Sequence, residues 1–163
     1  MTITSFDRSD YNNKENLSNI LKYYWEKDNV VEPGIYPINE LGHGKRRDLK
    51  KKDKIEIYEV SYPIEVSDIG HNREDAHPRY TLNIKTCESE DRIWLLYGEV
   101  RRIFALDAVK RHPTDQKFNA TNEAMPFQYI KTVGRKDLSP QYSNGWMIAY
   151  DVVLEYVHRP VGC

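Results

Sequence analysis

The first helical pattern in the chain spans residues 12–27. Its apolar positions recur at three- and four-residue spacings, at Leu17, Ile20, Leu21, Tyr24 and Trp25. This spacing predicts an amphipathic helix with one buried face. Asn12 or Asn13 is a suitable cap for its start, and Pro33 and Gly34 end the pattern.

The second helical pattern spans residues 90–110 and is the more regular of the two. Its buried stripe is predicted to contain Ile93, Leu96, Tyr97, Val100 and Phe104. Ser89 is placed to accept a hydrogen bond from the first turn, and Pro113 stops the helix. Arg101 and Arg102 flank the apolar stripe, on the side where a partner is able to reach them.

Alternation of apolar and polar residues predicts strands over 55–66, 79–87, 127–134 and from 146 onward, with a short extended piece near 35–38. Pro63 weakens the far end of the first of these strands. A change of apolar phase after Ile57 indicates a bulge or an edge position. The segments 68–78 and 134–145 are polar and are predicted to be loops.

The last strand is the longest and would extend about 40 Å at ~3.3 Å per residue. One face is apolar, with Trp146, Ile148, Tyr150, Val152, Leu154 and Tyr156. We expect this face to meet the helices and the opposite face to be available to a partner.

The predicted order is helix, strand, strand, helix, strand, strand, which favours an α+β fold. We expect a two-layer sandwich: a mostly antiparallel sheet with two helices packed on one face. At 163 residues the chain fits a single domain over 1–163. An extended charged loop is expected at about 39–54.

Composition excludes two broad classes of protein. With 39% apolar and 30% charged residues, the chain is neither disordered nor built to cross a membrane. Lys and Arg number 24 against 25 Asp and Glu, which argues against nucleic acid as the main partner. Two cysteines, Cys87 and Cys163, form no disulfide framework or zinc motif. The polar N-terminus has no secretory pattern, so we expect a reducing, soluble compartment.

A basic run is the sharpest charge feature of the chain. It contains Lys45, Arg46, Arg47, Lys50, Lys51, Lys52 and Lys54. The run is able to contact nucleic acid or an acidic protein surface, or it is simply a solvated loop. It has no interleaved aromatic residues for base stacking, which favours the solvated loop or a protein contact.

No motif in the sequence predicts catalysis. His71, Asp75 and His77 have side chains that suit zinc or iron, but their spacing fits a polar surface turn better. Neither a nucleophile elbow nor a phosphate-binding glycine loop is present. We therefore expect a protein that is not an enzyme and that needs no metal or other cofactor.

Aromatic residues are unusually rich in tyrosine, with 12 Tyr and 3 Trp against 4 Phe. Such side chains suit half-buried strands and protein interfaces equally well.

Three stretches resemble the tail-terminator, or tail-completion, proteins of long-tailed bacteriophages and archaeal viruses. They are YTLNIKTCESEDRIWLLYGEVRRIF (80–104), FQYIKTVGRKDLSP (127–140) and GWMIAYDVVLEYVHRP (145–160). The first is similar to that family's strand-then-helix ending in a basic pair. The other two are similar to its last two strands. The resemblance covers about half of the chain. It consists of the order of the strands and helices and the general pattern of residue types.

The resemblance implies a homo-oligomeric ring, typically hexameric, that caps the tail tube and joins it to the head-side neck. It implies as partners the chain itself, the tail tube protein, a head–tail connector protein and DNA passing through the lumen, but no membrane. The chain would then belong to the virion tail and would be assembled in the host cytoplasm. Candidate interface residues are Arg101, Arg102, Arg135, Trp146 and Tyr150.

Two other functions remain open at this point. One is a different head–tail connector or neck protein. The other is a nucleic-acid-binding or metal-dependent accessory protein, acting through the basic run or through the histidines His71 and His77.

Overall fold

A computed structural model describes residues 13–38, 53–61, 63–66, 74–111, 129–142 and 145–158 of the chain. Within these residues the fold is an α+β two-layer sandwich. A mostly antiparallel sheet is covered on one face by two longer helices. The prediction of the fold class is therefore confirmed.

Three α-helices are described: α1 (Asn13–Tyr24), α2 (Glu90–Ala105) and α3 (Asp107–Arg111). The Ser89 side chain accepts a hydrogen bond from the backbone of Arg92, as the sequence predicts. The predicted helix over 90–110 is divided at Leu106, whose backbone is extended. In the part of the chain that the structure describes, no helix is long and apolar enough to cross a membrane.

Seven strands are described, and their bounds are β1 (Gly34–Pro37), β2 (Lys54–Ser61), β3 (Ile64–Val66), β4 (Glu74–Ala76), β5 (Arg79–Thr86), β6 (Tyr129–Asp137) and β7 (Trp146–His158). Every predicted strand is present. The predictions were wrong in two places. The segment 68–78 contains β4, and β6 continues three residues into the segment predicted as a loop.

The strands occupy five positions across the sheet, in the order β1, β2, β5, β7, β6. β1 is parallel to β2, and the remaining pairs are antiparallel. β4 continues β5 along the same edge of β7 and in the same register. β3 continues β2 in the same way. Together these four segments form one long hairpin with two interruptions.

The interruptions fall at prolines, which have no backbone N–H to donate. The hairpin still holds together because the proline carbonyls accept hydrogen bonds. The amide of His77 donates to Pro63 at 3.0 Å, and the amide of Leu154 donates to Pro78 at 2.9 Å. The sequence predicts the weakening at Pro63 correctly. This strand contains a bulge between Glu59 and Ser61, further along than the phase change after Ile57.

The core lies between the sheet and the helices. α1 packs on β1 and β2, whereas α2 packs on β5, β6 and β7. β7 contributes its even-numbered face, with Ile148, Tyr150, Val152 and Leu154 buried. Fully burying a Leu or Ile side chain contributes roughly 1.5–3 kcal/mol relative to exposure. These alternating positions therefore hold β7 in a single register, because a slip by one residue would expose all four.

A polar cluster fixes one end of the sheet beneath the start of α2. Asp53 is buried and accepts hydrogen bonds from the Thr86 hydroxyl at 2.7 Å and from the Arg92 guanidinium at 2.6 and 2.9 Å. This carboxylate joins the start of β2, the end of β5 and the first turn of α2. Gly145 passes close beside the cluster as the chain enters β7.

Gly145 has a φ of 145°, and a Cβ built there would lie 2.2 Å from the carbonyl oxygen of Thr86. We expect Gly145→Ala to lower the free energy of unfolding by roughly 1–3 kcal/mol, because the backbone conformation favours glycine and its neighbour is backbone. The measurement is urea unfolding followed by circular dichroism.

Gly134→Ala is the matched control. Gly134 lies in β6, and a Cβ there meets no described atom within 4 Å. We expect this variant to be as stable as the wild type or slightly more stable. Equal stability of the two alanine variants would contradict the account given for Gly145.

Candidate protein-interaction surfaces

β6 forms one edge of the sheet, and among the described strands it pairs with β7 alone. Large apolar side chains on it are exposed, Tyr129 by 48% and Val133 by 49%. An uncovered edge strand is a place where proteins either prevent or use pairing with another chain. β6 carries a β-bulge, since its register on β7 shifts by one residue between Thr132 and Gly134.

The bulge decides which basic side chain faces the helices. Before it, Ile130 lies opposite Leu154 on the helix-covered face of the sheet. After it, Arg135 lies opposite Tyr150 and shares that same face. Without the extra residue, the alternation along the strand would place Lys136 there and Arg135 outside. The apolar alternation in the sequence predicts the strand but not this change of phase.

Arg135 uses this position to cover an aromatic row that leads from the surface into the core. Its guanidinium carbon lies 4.9 Å from the ring centroid of Trp94 and 4.8 Å from that of Tyr97. Tyr97 in turn meets Tyr150 at 5.9 Å between centroids. Cation–π contacts contribute about 0.5–1 kcal/mol at exposed sites, so Arg135 helps to order this edge while remaining exposed.

We call the exposed side chains along this side of the molecule the basic edge surface. It comprises Trp94, Tyr129, Lys131, Val133, Arg135, Lys136 and Asp137, so that three basic residues stand against one acid. Lys131 forms an ion pair with Glu155 at 2.7 Å. The basic edge surface therefore combines large apolar side chains with a surplus of positive charge.

A second exposed apolar surface lies on the side of the sheet where α1 covers β1 and β2. Tyr23, near the end of α1, is 58% exposed, and Val31, before β1, is 66% exposed. Around them lie Glu26, Asp28 and Glu32, against two exposed basic residues, Lys22 and Lys27. We call this set the acidic edge surface: Tyr23, Glu26, Asp28, Val31 and Glu32.

The two edge surfaces are different patches of the molecule. The basic edge surface follows β6, whereas the acidic edge surface lies in the helix layer, at the end of α1 and in the turn after it, where Glu26 and Asn29 bond to Glu99 of α2. The surfaces have opposite charge, and each has two or more exposed apolar side chains. Two different patches of opposite charge are what a head-to-tail contact between copies would require.

The predicted interface residues are placed very differently by the fold. Arg101 is exposed on α2, and Arg135 belongs to the basic edge surface. Trp146 is half-buried and packs against the core. Tyr150 is only 2% exposed, and its hydroxyl shares a hydrogen bond with Thr132. Tyr150 therefore belongs to the core and has almost no exposed surface in the described part of the chain.

Arg102, also predicted at an interface, joins α2 to α1 instead. Its guanidinium donates to the carbonyl oxygen of Tyr24 at 2.7 Å and forms an ion pair with Glu99. Glu99 is buried and also accepts from the backbone of Glu26 at 2.9 Å and from the Asn29 amide at 3.1 Å. The pair therefore satisfies polar groups that the end of α1 leaves open. The spacing of residues along α2 does not reveal this contact with the end of α1.

The basic run falls almost entirely outside the described residues, which include only Lys54 of its seven members. Lys54 lies in β2, where its ammonium is 3.6 Å from Glu56. Of the histidines weighed as metal ligands, His71 is not described and His77 lies 3.9 Å from Glu155. Within the described ranges, no three His, Cys, Asp or Glu side chains form a metal-binding group.

The face of the sheet opposite the described helices has its own ordered charges. Glu56 accepts hydrogen bonds from the Lys85 ammonium at 2.9 Å and from the Tyr58 hydroxyl. Burial acts to raise the pKa of Glu56, but these hydrogen bonds and the two nearby lysines together hold it below its usual value. The Lys85 ammonium also lies 5.5 Å from the ring centroid of Tyr142. This face is therefore polar and internally paired, in contrast to the two edges.

No protein-family model matches the chain, and no curated protein is similar to it. Function is therefore inferred from the geometry of the two edge surfaces and from the resemblance of three stretches of the sequence. The feature with the clearest functional content is the pair of edge surfaces.

Glu99 gives a test of how α1 and α2 are held together. Burial acts to raise the pKa of Glu99, but hydrogen bonds from Arg102, Glu26 and Asn29 lower it overall from an ordinary value of 4.5. A carboxyl with a lowered pKa stabilises the fold above its ordinary pKa, and this stabilisation is lost as the pH falls through the lowered value. We expect Glu99→Gln to cost about 1.5–3 kcal/mol at neutral pH.

The measurement is urea unfolding of the wild type and of Glu99→Gln between pH 7 and pH 3. The difference between them should shrink below about pH 4.5. Glu90→Gln, at an exposed position of the same helix, should change stability by no more than about 0.5 kcal/mol. If the wild type exceeds Glu99→Gln in free energy of unfolding by the same amount down to pH 3, the charge of Glu99 is not the cause of the difference.

Proposed function

We propose that the chain is a tail terminator, a structural virion assembly protein whose copies form a ring that caps the tail tube. The ring joins the tube to the head-side neck, in the virion tail, after assembly in the host cytoplasm. The observation that carries this proposal is the pair of oppositely charged surfaces with exposed apolar side chains, one along β6 and the other at the end of α1 and in the turn after it. The resemblance of 80–104, 127–140 and 145–160 to that family supports the same function.

The position of the two surfaces favours a ring over a simple two-fold pair. A two-fold contact uses the same patch on both subunits, whereas two different patches that complement each other generate a head-to-tail series. Such a series closes into a ring when the rotation between neighbours divides a full turn. Because the basic and acidic edge surfaces are different patches, each subunit has one free surface of each kind until the ring closes.

The energetics of the contact follow from its composition. Exposed aromatic and aliphatic residues supply the area removed from water, with Tyr129 and Val133 on one subunit and Tyr23 and Val31 on the next. The charges around them select the head-to-tail orientation, because two basic edges or two acidic edges repel each other. Arg135, held over its aromatic row, is already ordered before a partner arrives, which reduces the entropic cost of binding.

A ring closed through both edges leaves the two faces of the sandwich for other partners. The uncovered sheet face and the helix face are then available to the tail tube protein and to the head–tail connector protein. The basic run at 45–54 lies almost entirely outside the described residues, and its charge is the feature of the sequence that would suit DNA passing through the lumen. This division gives each of the proposed partners its own part of the subunit.

Charge reversal tests the head-to-tail contact. Lys136→Glu and Asp28→Lys are changes at exposed positions of the basic and the acidic edge surface. We expect each alone to raise the concentration needed for ring formation by about tenfold or more, since replacing attraction by repulsion at a contact costs ~1.4 kcal/mol or more. The measurement is native mass spectrometry over a concentration series, with negative-stain images.

Rescue makes the charge-reversal test specific. The two variants mixed in equal amounts should form alternating rings, because each reversed edge then meets a complementary one. The double variant should form rings by itself. Glu15→Lys, an exposed change on the first turn of α1, is the control and should leave rings intact. Rings that tolerate both single changes, or a wild type that is monomeric at every concentration, would overturn the edge-to-edge contact.

A second experiment separates a terminator from another neck protein. The purified chain is added to tail tube protein during polymerisation, and tube lengths are measured by electron microscopy. A terminator should bind one end of the tube and stop its growth in proportion to the amount added. Unchanged tube lengths in the presence of intact rings would reject the capping role and leave the connector role.

A further inference from the structure

The three arginines of α2 differ in whether the fold gives them an acidic partner. Arg92 forms an ion pair with Asp53, and Arg102 forms one with Glu99. Arg101 is exposed, and no ion pair or hydrogen bond joins its guanidinium to another described residue. The described part of the chain therefore leaves this one cation of the helix without an anion.

Arg101 lies on the side of α2 that faces β6. With 100° between successive helix residues, Trp94, Tyr97 and Arg101 fall within about 60° of one another. Trp94 and Tyr97 are the two rings that the guanidinium of Arg135 covers, at 4.9 and 4.8 Å. Arg101 follows Tyr97 by about one turn, or about 6 Å along the axis at 1.5 Å per residue. Arg101 and Arg135 therefore stand on the same side of the helix, one turn apart.

A pair of hydroxyl groups lies beside the two arginines. The hydroxyls of Thr132 and Tyr150 share a hydrogen bond of 2.7 Å, and Thr132 is exposed whereas Tyr150 is buried. Burial raises the pKa of the Tyr150 hydroxyl, while the hydrogen bond with Thr132 and the charge of Arg101 act to lower it. Arg101 is therefore close enough to act on this pair electrostatically. When Tyr150 donates to Thr132, the proton of the Thr132 hydroxyl is free for another acceptor.

The acids nearest to the two arginines are engaged elsewhere or distant. Asp137 lies two residues from Arg135 along β6, and its carboxylate accepts a hydrogen bond from the backbone of Ser139 at 3.0 Å. Hydrogen bonds from Ser139 lower the pKa of Asp137, and the charge of Arg135 contributes less. Glu90 is on the same side of α2 as Arg101 but about 16.5 Å away along the axis. Two like charges are thus held together, and no described carboxylate forms an ion pair with either of them.

We propose that Arg101, Thr132 and Arg135 bind an oxyanion of the phosphate class, at what we call the two-arginine site. Two guanidinium groups from different elements, together with a hydroxyl, present donors to three oxygens of a tetrahedral anion. A carboxylate has only two oxygens in one plane, which a single guanidinium is able to match. The rings under Arg135 order its side chain before the ligand arrives, which reduces the entropic cost of binding.

The two-arginine site differs from the proposed ring contact in its ligand and in its residues. Arg101 and Thr132 lie outside the basic edge surface, whereas Arg135 belongs to both. A bound phosphate and a neighbouring copy would therefore compete for the Arg135 guanidinium. Binding is best measured where the ring contact is weakened from the other side. Asp28→Lys does this, because it changes the acidic edge surface and leaves the two-arginine site intact.

Titration with inorganic phosphate tests the site in the Asp28→Lys background. At constant ionic strength, the guanidinium Nε–H signals of Arg101 and Arg135 should shift and saturate in nitrogen-15 NMR spectra. Arg101→Gln and Arg135→Gln should each weaken phosphate binding by about tenfold or more, because each removes a charge-assisted donor. The measurement is the dissociation constant, with the fold of each variant checked by circular dichroism.

Arg79→Gln is the matched control, since Arg79 is an exposed arginine of β5 on the face of the sheet opposite the described helices. This variant should bind phosphate as the parent does. The absence of a saturable shift below about 50 mM phosphate, or equal affinity in all three glutamine variants, would overturn the site. Neither result depends on whether rings form, so failure of the site and failure of the ring contact are distinguishable.

Competing anions identify the class of ligand. Acetate should bind about tenfold more weakly than phosphate or worse, and equal binding of the two would overturn the assignment to phosphate. Methyl phosphate and dimethyl phosphate then separate two sources of the same chemistry. Comparable binding of dimethyl phosphate would support the site as a receptor for a nucleic-acid backbone. A preference for methyl phosphate would support it as a receptor for free phosphate or a phosphate monoester.

Discussion

β7 is hydrogen-bonded along both of its edges, and the rest of the structure depends on this double pairing. β5 and β4 occupy one edge and β6 the other. The chain passes from β5 through α2 and α3 to β6 before it reaches β7. β5 and β6 are therefore neighbours along the chain but do not pair with each other, because residues 146–158 of β7 lie between them. Pairing of this kind is non-local, so the sheet gains its central contacts late and together.

The pairing of β7 with strands on both sides also explains which charged side chains lie at the surface of β6. Its even-numbered side chains must face α2, which fixes the register of β6 at both ends. β6 meets this requirement by including one extra residue near Val133. The bulge gives Arg135 the helix-side position over Trp94 and leaves Lys136 on the outside. A constraint in the core thereby determines which charges appear at the edge where a partner would bind.

Periodicity predicts the two main helices and β7 well, because each buries one continuous face and the apolar spacing records that face directly. Prediction fails where the deciding partner is distant in sequence. β4 is a polar segment that becomes a strand because β7 extends past the end of β5 and offers it hydrogen bonds. Tyr150 resembles an interface aromatic in the sequence, but the neighbours Tyr97 and Phe104 enclose it. Arg102 donates a hydrogen bond to the carbonyl oxygen of Tyr24 at the end of α1, a contact that its position beside the apolar stripe does not predict.

The placement of charge explains why composition says so little about partners. Inside the sandwich and on its uncovered face, acids and bases are matched locally, as in Asp53 with Arg92, Glu99 with Arg102 and Glu56 with Lys85. In the described part of the chain, further acids lie around Val31 and further bases around Val133. The net charge of −1 sums every charge of the chain and carries no information on where each one lies. The two surfaces become apparent only once the fold brings their residues together.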